Sequence, residues 1–482
     1  METPQPLPLV ILANREPYIH VHTPCGIETR RPASGLVSAL EPVMQQKGGY
    51  WIAQGCGSAD VETADRHGMI AVPPHDPTYQ LKRVWLSPSE KKAYYDGFSN
   101  EALWPLFHLA HQQPIFRSSD WETYRRVNEL FSRSLPHESL KAPHIFLVQD
   151  FHLALVPSLL RQNTSLTDHH QIAMVWHIPW VPSEVFRICP WATEILEGML
   201  GADLISFHTQ AYCNNFLESC ERLLESRVDY ARHSVTLRGH ETRVRAIPLG
   251  ISPEPIERLS KTEIQRFLAQ EFGISPAVLG LGVDRMDYTK GILERFAALE
   301  RFFELEPESL GVFSFLQIAS PSRTEVPAYQ EFTEKVIREA KRINHRFEGQ
   351  FPATTPPIQL IHRQCDWNEL GRLYQAAQIC VVSPLHDGMN LVAQEYLWAR
   401  SADDGALILS RFAGASQSLP QAFLVNPYDT EDLAQSLRSA HRLALRPPTP
   451  EHQARMNLLR EKVGQRTSLV WAQELLNELT AV

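Results

Sequence analysis

The amino-acid sequence predicts an α/β fold built on doubly wound parallel sheets. Two patterns predict it. Short apolar runs alternate with amphipathic stretches along nearly all of the 482 residues. The runs are apolar at consecutive positions, as in parallel strands covered by helices on both faces. Repeated strand–helix alternation then favours doubly wound layers. Length is the third observation: at about 100–200 residues per domain, two large domains or three small ones are expected.

In the first half the candidate strands are Leu9–Leu12 with its extension to Asn14, Ile145–Gln149, Ile172–Trp176, Leu204–Phe207 and Val244–Pro248. In the second half they are Val278–Val283, Val312–Ile318, Ile358–His362, Ile379–Ser383, Ala406–Ser410 and Phe423–Val425. Leu293–Phe303, Glu334–Asn344 and Glu431–Leu443 read as helices. Ser252-Pro253-Glu254-Pro255 resembles a linker and divides the chain into similar halves, 1–250 and 251–455. After the proline-rich Arg446–Pro450, a helical pattern runs from about Glu451 to Leu479, which assigns 456–482 to a C-terminal helix. Two such domains are expected to face each other across a cleft lined by the carboxyl ends of their strands.

Composition narrows the function. Hydrophobic residues make up 43% and charged residues 21%, an ordinary globular balance. The net charge is −9, with no Lys/Arg run, which argues against a nucleic-acid partner. The seven cysteines show no CxxC spacing, so reduced thiols are expected rather than a disulfide framework or a zinc site. Neither a signal-peptide pattern nor an apolar run of roughly 18 residues is present, so no membrane partner and a cytoplasmic location are expected. A homo-oligomer is left open.

The most informative segment follows the run Ile379–Ser383. Pro384, Asp387, Gly388 and Asn390 break the strand, and Leu391–Trp398 reads as a helix. The backbone N–H groups of Met389, Asn390, Leu391 and Val392 would then point out of a helix N-terminus, where a diphosphate binds well. Asp387 is placed to accept hydrogen bonds from sugar hydroxyls, and Glu395 to reach a ribose. On its own the segment reads equally well as an ordinary helix cap. A second group, Asp284-Arg285-Met286-Asp287-Tyr288-Thr289-Lys290-Gly291, follows the run Val278–Val283. Arg285 and Lys290 would stabilise the negative charge on a departing nucleoside diphosphate. Their alternative is a solvated surface pair.

The first half offers more strand-end residues. Arg15 follows the first strand, and Gly35 permits close backbone approach or simply makes a turn. Asp150 and His177 end adjacent strands, as a cleft floor would require, although a lone histidine there is more often structural. Tyr95 and Trp104 are candidate sugar platforms or core aromatics. Arg323 follows the run Val312–Ile318, and with Arg15 it can clamp a phosphate through forked donors, or each is a surface arginine.

Taken in order, these segments resemble the trehalose-6-phosphate synthase family of retaining glycosyltransferases, family 20. The resemblance spans Asn14 to about Tyr428. Its most specific parts are Val283–Gly291, Asp387–Ala393, Phe412-Ala413-Gly414-Ala415 and Val425-Asn426-Pro427-Tyr428. It implies a GT-B architecture of two Rossmann-like domains, the first binding acceptor and the second nucleotide sugar, with the C-terminal helix crossing back. It implies donor contacts from Gly35, His177, Arg285, Lys290, Asp387, Met389, Asn390, Leu391, Val392 and Glu395. It implies acceptor contacts from Arg15, Tyr95, Trp104, Asp150 and Arg323. The catalytic group would be Arg285, Lys290, His177 and Asp150. No metal and no cofactor are expected, the partners being a nucleotide-glucose and a sugar phosphate. The product would be α,α-trehalose 6-phosphate from UDP-glucose, or another nucleoside-diphosphate glucose, and glucose 6-phosphate.

The chain departs from the family at Ser34, Gln54, His386 and Gln394, and its stretch Pro17–Pro32 is longer than in typical bacterial members. Arg15-Glu16-Pro17-Tyr18 also resembles glucosylglycerol-phosphate synthases. Transfer to glycerol 3-phosphate, a pseudo-glycosyltransferase of the same fold, and a non-catalytic sugar-phosphate-binding protein are therefore the competing readings. Arg323 favours glucose 6-phosphate, whose phosphate lies far from the reacting hydroxyl and needs a distant cation.

Overall fold

The computed structural model of the chain describes residues 7–32, 35–109, 111–137, 139, 142–164, 166, 169–252, 255–400 and 404–481. Two compact units emerge, one formed by Met1–Ser252 with Ser468–Val482 and the other by Pro253–Thr467. Pro253 and Glu254 of the linker-like stretch, and Ala33 and Ser34 before Gly35, lie outside the described residues.

The second unit is a six-stranded parallel sheet. Its order is Ile358–Ile361, Phe313–Ser320, Val278–Arg285, Ile379–Val382, Ala406–Ser410 and Phe423–Val425. All six strands were legible as compact apolar runs; the inner four are buried on both faces, while the edge strands Ile358–Ile361 and Phe423–Val425 are mostly half-buried. The order reverses at Val278–Arg285, and open sheets bind ligands beside such a switch point.

The first unit carries a ten-stranded sheet. From one edge it runs Arg227–Asp229, Ser234–Leu237, His240–Ala246, Leu204–Phe207, Gln171–Val175, Ile145–Gln149, Leu9–Ala13, Gly49–Gln54, Tyr79–Val84 and Met69–Val72. The middle is parallel. The edges are not: Met69–Val72 pairs antiparallel with its neighbour, and so do the strands from Arg227 to Ala246. The sheet is therefore mixed, where sequence suggested parallel strands alone. Tyr79–Val84 alternates buried and half-buried residues, so it lacks the continuous apolar signal. Within the long stretch Pro17–Pro32, Ile19–Thr23 and Gly26–Arg30 form an antiparallel hairpin.

The helical pattern near the C-terminus is two helices, Pro450–Gln465 and Ser468–Thr480. The chain leaves helical geometry at Arg466, and the Ser468 N–H donates to the Ile251 carbonyl at 2.7 Å. The last helix packs on the first unit. Arg243 there donates to the carbonyls of Leu479 and Ala481 at 3.0 and 2.6 Å, and Trp471 is 1% exposed. Among the described residues, no helix is long and apolar enough to cross a membrane.

Trp471→Ala should lower the stability of the protein by about 3–5 kcal/mol, because a large buried ring leaves a cavity. Urea unfolding followed by circular dichroism measures this, and a loss below about 1 kcal/mol would contradict the packing described.

Candidate active site

The second unit builds its site on the carboxyl ends of Phe313–Ser320, Val278–Arg285 and Ile379–Val382. One buried guanidinium ties these ends together. Arg295 has no solvent exposure, and it donates to Asp284 Oδ2 at 2.6 Å, Gln317 Oε1 at 2.7 Å, Ser383 Oγ at 3.0 Å and the Lys290 carbonyl at 3.3 Å. Gly291, at φ +64°, completes the turn: a Cβ there would lie 2.1 Å from the Ser383 carbonyl oxygen. Only glycine allows that approach.

Asp287 lies fully buried inside the turn. Its Oδ1 accepts from the Thr289 N–H and hydroxyl, both at 3.0 Å. Its Oδ2 accepts from Arg323 Nη1 at 2.9 Å and from Arg285 Nη2 at 3.5 Å. The Tyr329 hydroxyl lies 3.4 Å from the same oxygen, and the Arg323 guanidinium sits over the Tyr329 ring, 5.2 Å from its centre. Burial alone would raise the Asp287 carboxyl. The charges of Arg323, Arg285 and Lys290 outweigh it and hold the group down to about 2. Arg285 and Arg323, assigned separately to donor and acceptor, thus share one carboxylate.

Lys290 and Asp387 also meet. Lys290 Nζ lies 2.5 Å from Asp387 Oδ2, and Asn390 Nδ2 donates to the same oxygen at 3.1 Å. Sequence gave this lysine and this aspartate different ligand groups; the structure pairs them. Asn390 adopts φ +77° and caps the helix Leu391–Ala399 through the Ala393 N–H at 3.4 Å. The N–H groups of Leu391 and Val392 fall in the first turn, where a helix offers no carbonyl partner. So both readings of the segment hold: it is a helix cap, and it leaves an anion-compatible N-terminus. Met389 is buried, and its carbonyl accepts from the Ala415 N–H at 2.8 Å. The Phe412–Ala415 motif supports this turn, since a Cβ at Gly414 would lie 2.1 Å from the Gly388 carbonyl oxygen. Glu395 accepts from the Tyr374 hydroxyl at 2.7 Å. His386 stacks on Phe412 at 5.2 Å, while Gln394 is buried.

In the first unit, Asp150 and His177 meet at neighbouring strand ends. The His177 N–H donates to Asp150 Oδ1 at 3.2 Å. The His177 ring lies between Gln149 and His208, with Nε2 to Gln149 Oε1 at 2.8 Å and Nδ1 to His208 Nε2 at 3.2 Å. The Leu249 N–H, which can only donate, points at His208 Nδ1 at 3.3 Å. The Ile247 carbonyl lies 3.5 Å from the same nitrogen, so the ring is held from both sides. Burial and the neighbouring His208 hold His177 well below the usual imidazole value, so it is neutral at physiological pH. Tyr95 stacks on His152 at 5.6 Å and Trp104 packs on Phe151 at 5.8 Å, so both gather around the turn opened by Asp150. Tyr95 lies within a π-helix, Lys92–Leu103, a rare geometry that is frequent at functional sites. Arg15 is exposed just past Leu9–Ala13, and its carbonyl accepts from the Trp51 indole at 3.0 Å. Gly35 opens the helix Gly35–Lys47 and is exposed. Asp150 at φ 66°, Arg323 at 47° and Asn390 at 77° hold strained backbone, a feature that gathers at functional sites.

This architecture has close counterparts. Glycosyltransferase family 20 matches residues 9–481. The chain belongs to that family. Among family-20 relatives, the UDP-forming α,α-trehalose-phosphate synthase of Schizosaccharomyces pombe is 34% identical, with 98% of this chain and 90% of that protein aligned. The trehalose-6-phosphate synthase of Mycolicibacterium gilvum is 35% identical over 98% of this chain and 93% of its own length. The E. coli trehalose-6-phosphate structure bound with UDP-2-fluoro glucose superposes with a TM-score of 0.83 at 28% identity, covering 98% of this chain and 99% of that one. The Burkholderia xenovorans synthase in complex with glucose 6-phosphate superposes at 0.81 with 29% identity, over 98% and 100%. The fold is therefore the GT-B class of two Rossmann-like units.

Sequence reading missed the roles of Asp287, His208 and Gln149. Asp287 was visible as a carboxylate between two cations, and His208 follows a strand end as His177 does.

Asp287 carries a stability prediction. Its pKa lies below the ordinary 3.8, so its contribution is complete above that value and disappears as pH falls toward 2. Asp287→Asn should be less stable than the wild type by about 2 kcal/mol at neutral pH, with the gap closing in acid. Denaturant titrations at a series of pH values measure this, and a gap independent of pH would contradict the ionised pair.

Proposed function

We propose that this protein is a retaining glucosyltransferase that makes α,α-trehalose 6-phosphate from UDP-glucose, or another nucleoside-diphosphate glucose, and glucose 6-phosphate. The observation that carries the reading is the convergence of Arg285, Lys290, Asp387 and the Leu391–Ala399 N-terminus at the switch point of one parallel sheet.

In this reading the donor diphosphate lies against Arg285, Lys290 and the backbone of Met389 to Val392. Asp387 exchanges part of its contact with Lys290 for sugar hydroxyls, and Glu395 takes the ribose. Gly35 and the neutral His177 complete the donor contacts. The acceptor is assigned to Arg15, Tyr95, Trp104, Asp150 and Arg323. As the bond from the anomeric carbon to the phosphate oxygen breaks, negative charge gathers on the leaving diphosphate. Preorganised cations there are stronger partners of the transition state than of the ground state. The acceptor hydroxyl forms the new bond on the same face and passes its proton to the leaving phosphate oxygen, which preserves the anomeric configuration. This chemistry needs no carboxylate pair of the glycosidase kind.

All seven cysteines are free thiols, which supports the cytoplasmic placement proposed here. Among the described residues, no group of three or more His, Cys, Asp or Glu side chains is placed to hold a metal ion.

A panel of UDP-, GDP- and ADP-glucose against glucose 6-phosphate and glycerol 3-phosphate, read by product mass and nucleotide release, tests the reading. Trehalose 6-phosphate with one of these donors is expected; a product on glycerol 3-phosphate alone, or no turnover, would overturn it. Arg285→Ala should lower kcat by about 10²-fold or more. An unchanged kcat would remove its role on the leaving group.

A further inference from the structure

Beneath the exposed Arg15 lies a buried ionic cluster that the reaction itself does not use. Glu16, 1% exposed, accepts at Oε2 from Arg83 Nε at 2.9 Å. At Oε1 it accepts from the Cys56 N–H at 2.9 Å and thiol at 3.2 Å. Asp60, also buried, accepts from Gly57 N–H at 2.6 Å, His20 N–H at 2.7 Å and Cys56 N–H at 3.0 Å, and its carboxylate forms an ion pair with Arg83 Nη2 at 2.9 Å. The same guanidinium reaches His20 Nδ1 at 2.7 Å and the Tyr18 carbonyl at 3.3 Å. Two segments, Glu16–His20 and the helix Asp60–Thr63, are thereby tied to one arginine of the strand Tyr79–Val84.

The chain leaving Leu9–Ala13 is thus held at three consecutive residues. Asn14 Oδ1 accepts from the Tyr94 hydroxyl at 3.0 Å, beside Tyr95. The Arg15 carbonyl accepts from the Trp51 indole, also at 3.0 Å. Glu16 is held by Arg83 and Cys56. Only the Arg15 side chain projects outward. A long side chain on a fixed backbone loses less freedom when it grips an anion than one on a loose loop. Burying two carboxylates for one guanidinium is otherwise costly, and a hydrophobic replacement would serve packing as well.

We propose that Glu16 is a positioning residue for the acceptor, fixing through the Glu16–Arg83–Asp60 cluster the backbone that presents Arg15 to the acceptor phosphate. This rests on the assignment of Arg15 above. It also makes acceptor binding sensitive to one proton. With both carboxylates ionised, the cluster with Arg83 has a net negative charge close to Arg15. The groups facing Glu16 are Asp60, Arg83 and Cys56, with His20 on Arg83 and Arg15 beside Cys56. Burial, then the Asp60 carboxylate, push Glu16 up to about 7. Proton uptake removes that negative charge and strengthens the pull of Arg15 on a phosphate.

Glu16→Ala and Glu16→Gln, assayed with UDP-glucose and glucose 6-phosphate, test this. The alanine variant should raise the acceptor KM about tenfold while kcat and the donor KM stay within about twofold. The glutamine variant, which keeps the shape and one of the two acceptor oxygens, should recover most of the acceptor KM. Comparison with the wild type cancels the phosphate's own titration near pH 6. The ratio of wild-type to Glu16→Gln acceptor KM should therefore grow roughly threefold as pH rises from about 6 to about 8. Equal changes in both KM values, a fall in kcat alone, or a ratio flat with pH would overturn the proposal. If the alanine variant fails to fold, the glutamine pH ratio decides alone. Arg15→Ala separates the two levels: an unchanged acceptor KM there defeats the acceptor assignment itself. A raised one with Glu16 variants silent defeats only this inference.

Discussion

The candidate donor site depends on one guanidinium that never meets solvent. Arg295 joins Asp284, Gln317, Ser383 and the Lys290 carbonyl, which belong to or directly follow three neighbouring strands of one sheet. An isolated charge at that depth would be prohibitive, so it is stable only when its donors are satisfied. That requirement fixes the strand ends relative to one another. Lys290, Asp387 and Asp287 then stand on a frame that has little freedom to relax.

The first unit repeats the device with different residues. Arg83 gathers Glu16, Asp60, His20 and the Tyr18 carbonyl, as Arg295 gathers its own partners. In both cases a buried arginine lies close in sequence or contact to a strand end that carries an exposed or half-exposed cation, Arg15 in one and Arg285 in the other. A five-donor planar fork suits this because it can serve several segments at once, which a lysine cannot. The sheets supply position, and the buried arginines tie the segments that follow the strand ends to one another.

Shared counter-ions give the site a further property. Asp287 holds Arg285 and Arg323 together, and Asp387 holds Lys290. Cations at such density would repel one another without these carboxylates. Paired, they remain in place, and an anionic ligand has only to displace or join an existing partner. In the proposed reaction, cations already fixed in this way would favour a developing negative charge without reorganising first.

The sequence by itself determined the six strands of the second unit, five strands of the first though not Gly49–Gln54 beside Leu9–Ala13, and the strand-end location of most site candidates. Apolar runs buried on both faces leave a local imprint, and so do the polar residues that end them. It also exposed the motifs Asp284–Gly291 and Asp387–Glu395 as candidate anion sites. Only the tertiary structure decided the mixed edges of the ten-stranded sheet, the hairpin within Pro17–Pro32 and the split of the C-terminal helical stretch. Arg227–Asp229 has no continuous apolar signature, Met69–Val72 is a short apolar run with one buried residue, and the helix break is accompanied by a hydrogen bond from Ser468 to Ile251, far away in sequence. The same holds for charge pairing. That Asp287 serves two arginines, that Lys290 meets Asp387, and that Glu16 is sunk against Arg83 are contacts between residues up to 97 positions apart. Residue type announces that a charge exists; only the packed fold decides which opposite charge neutralises it.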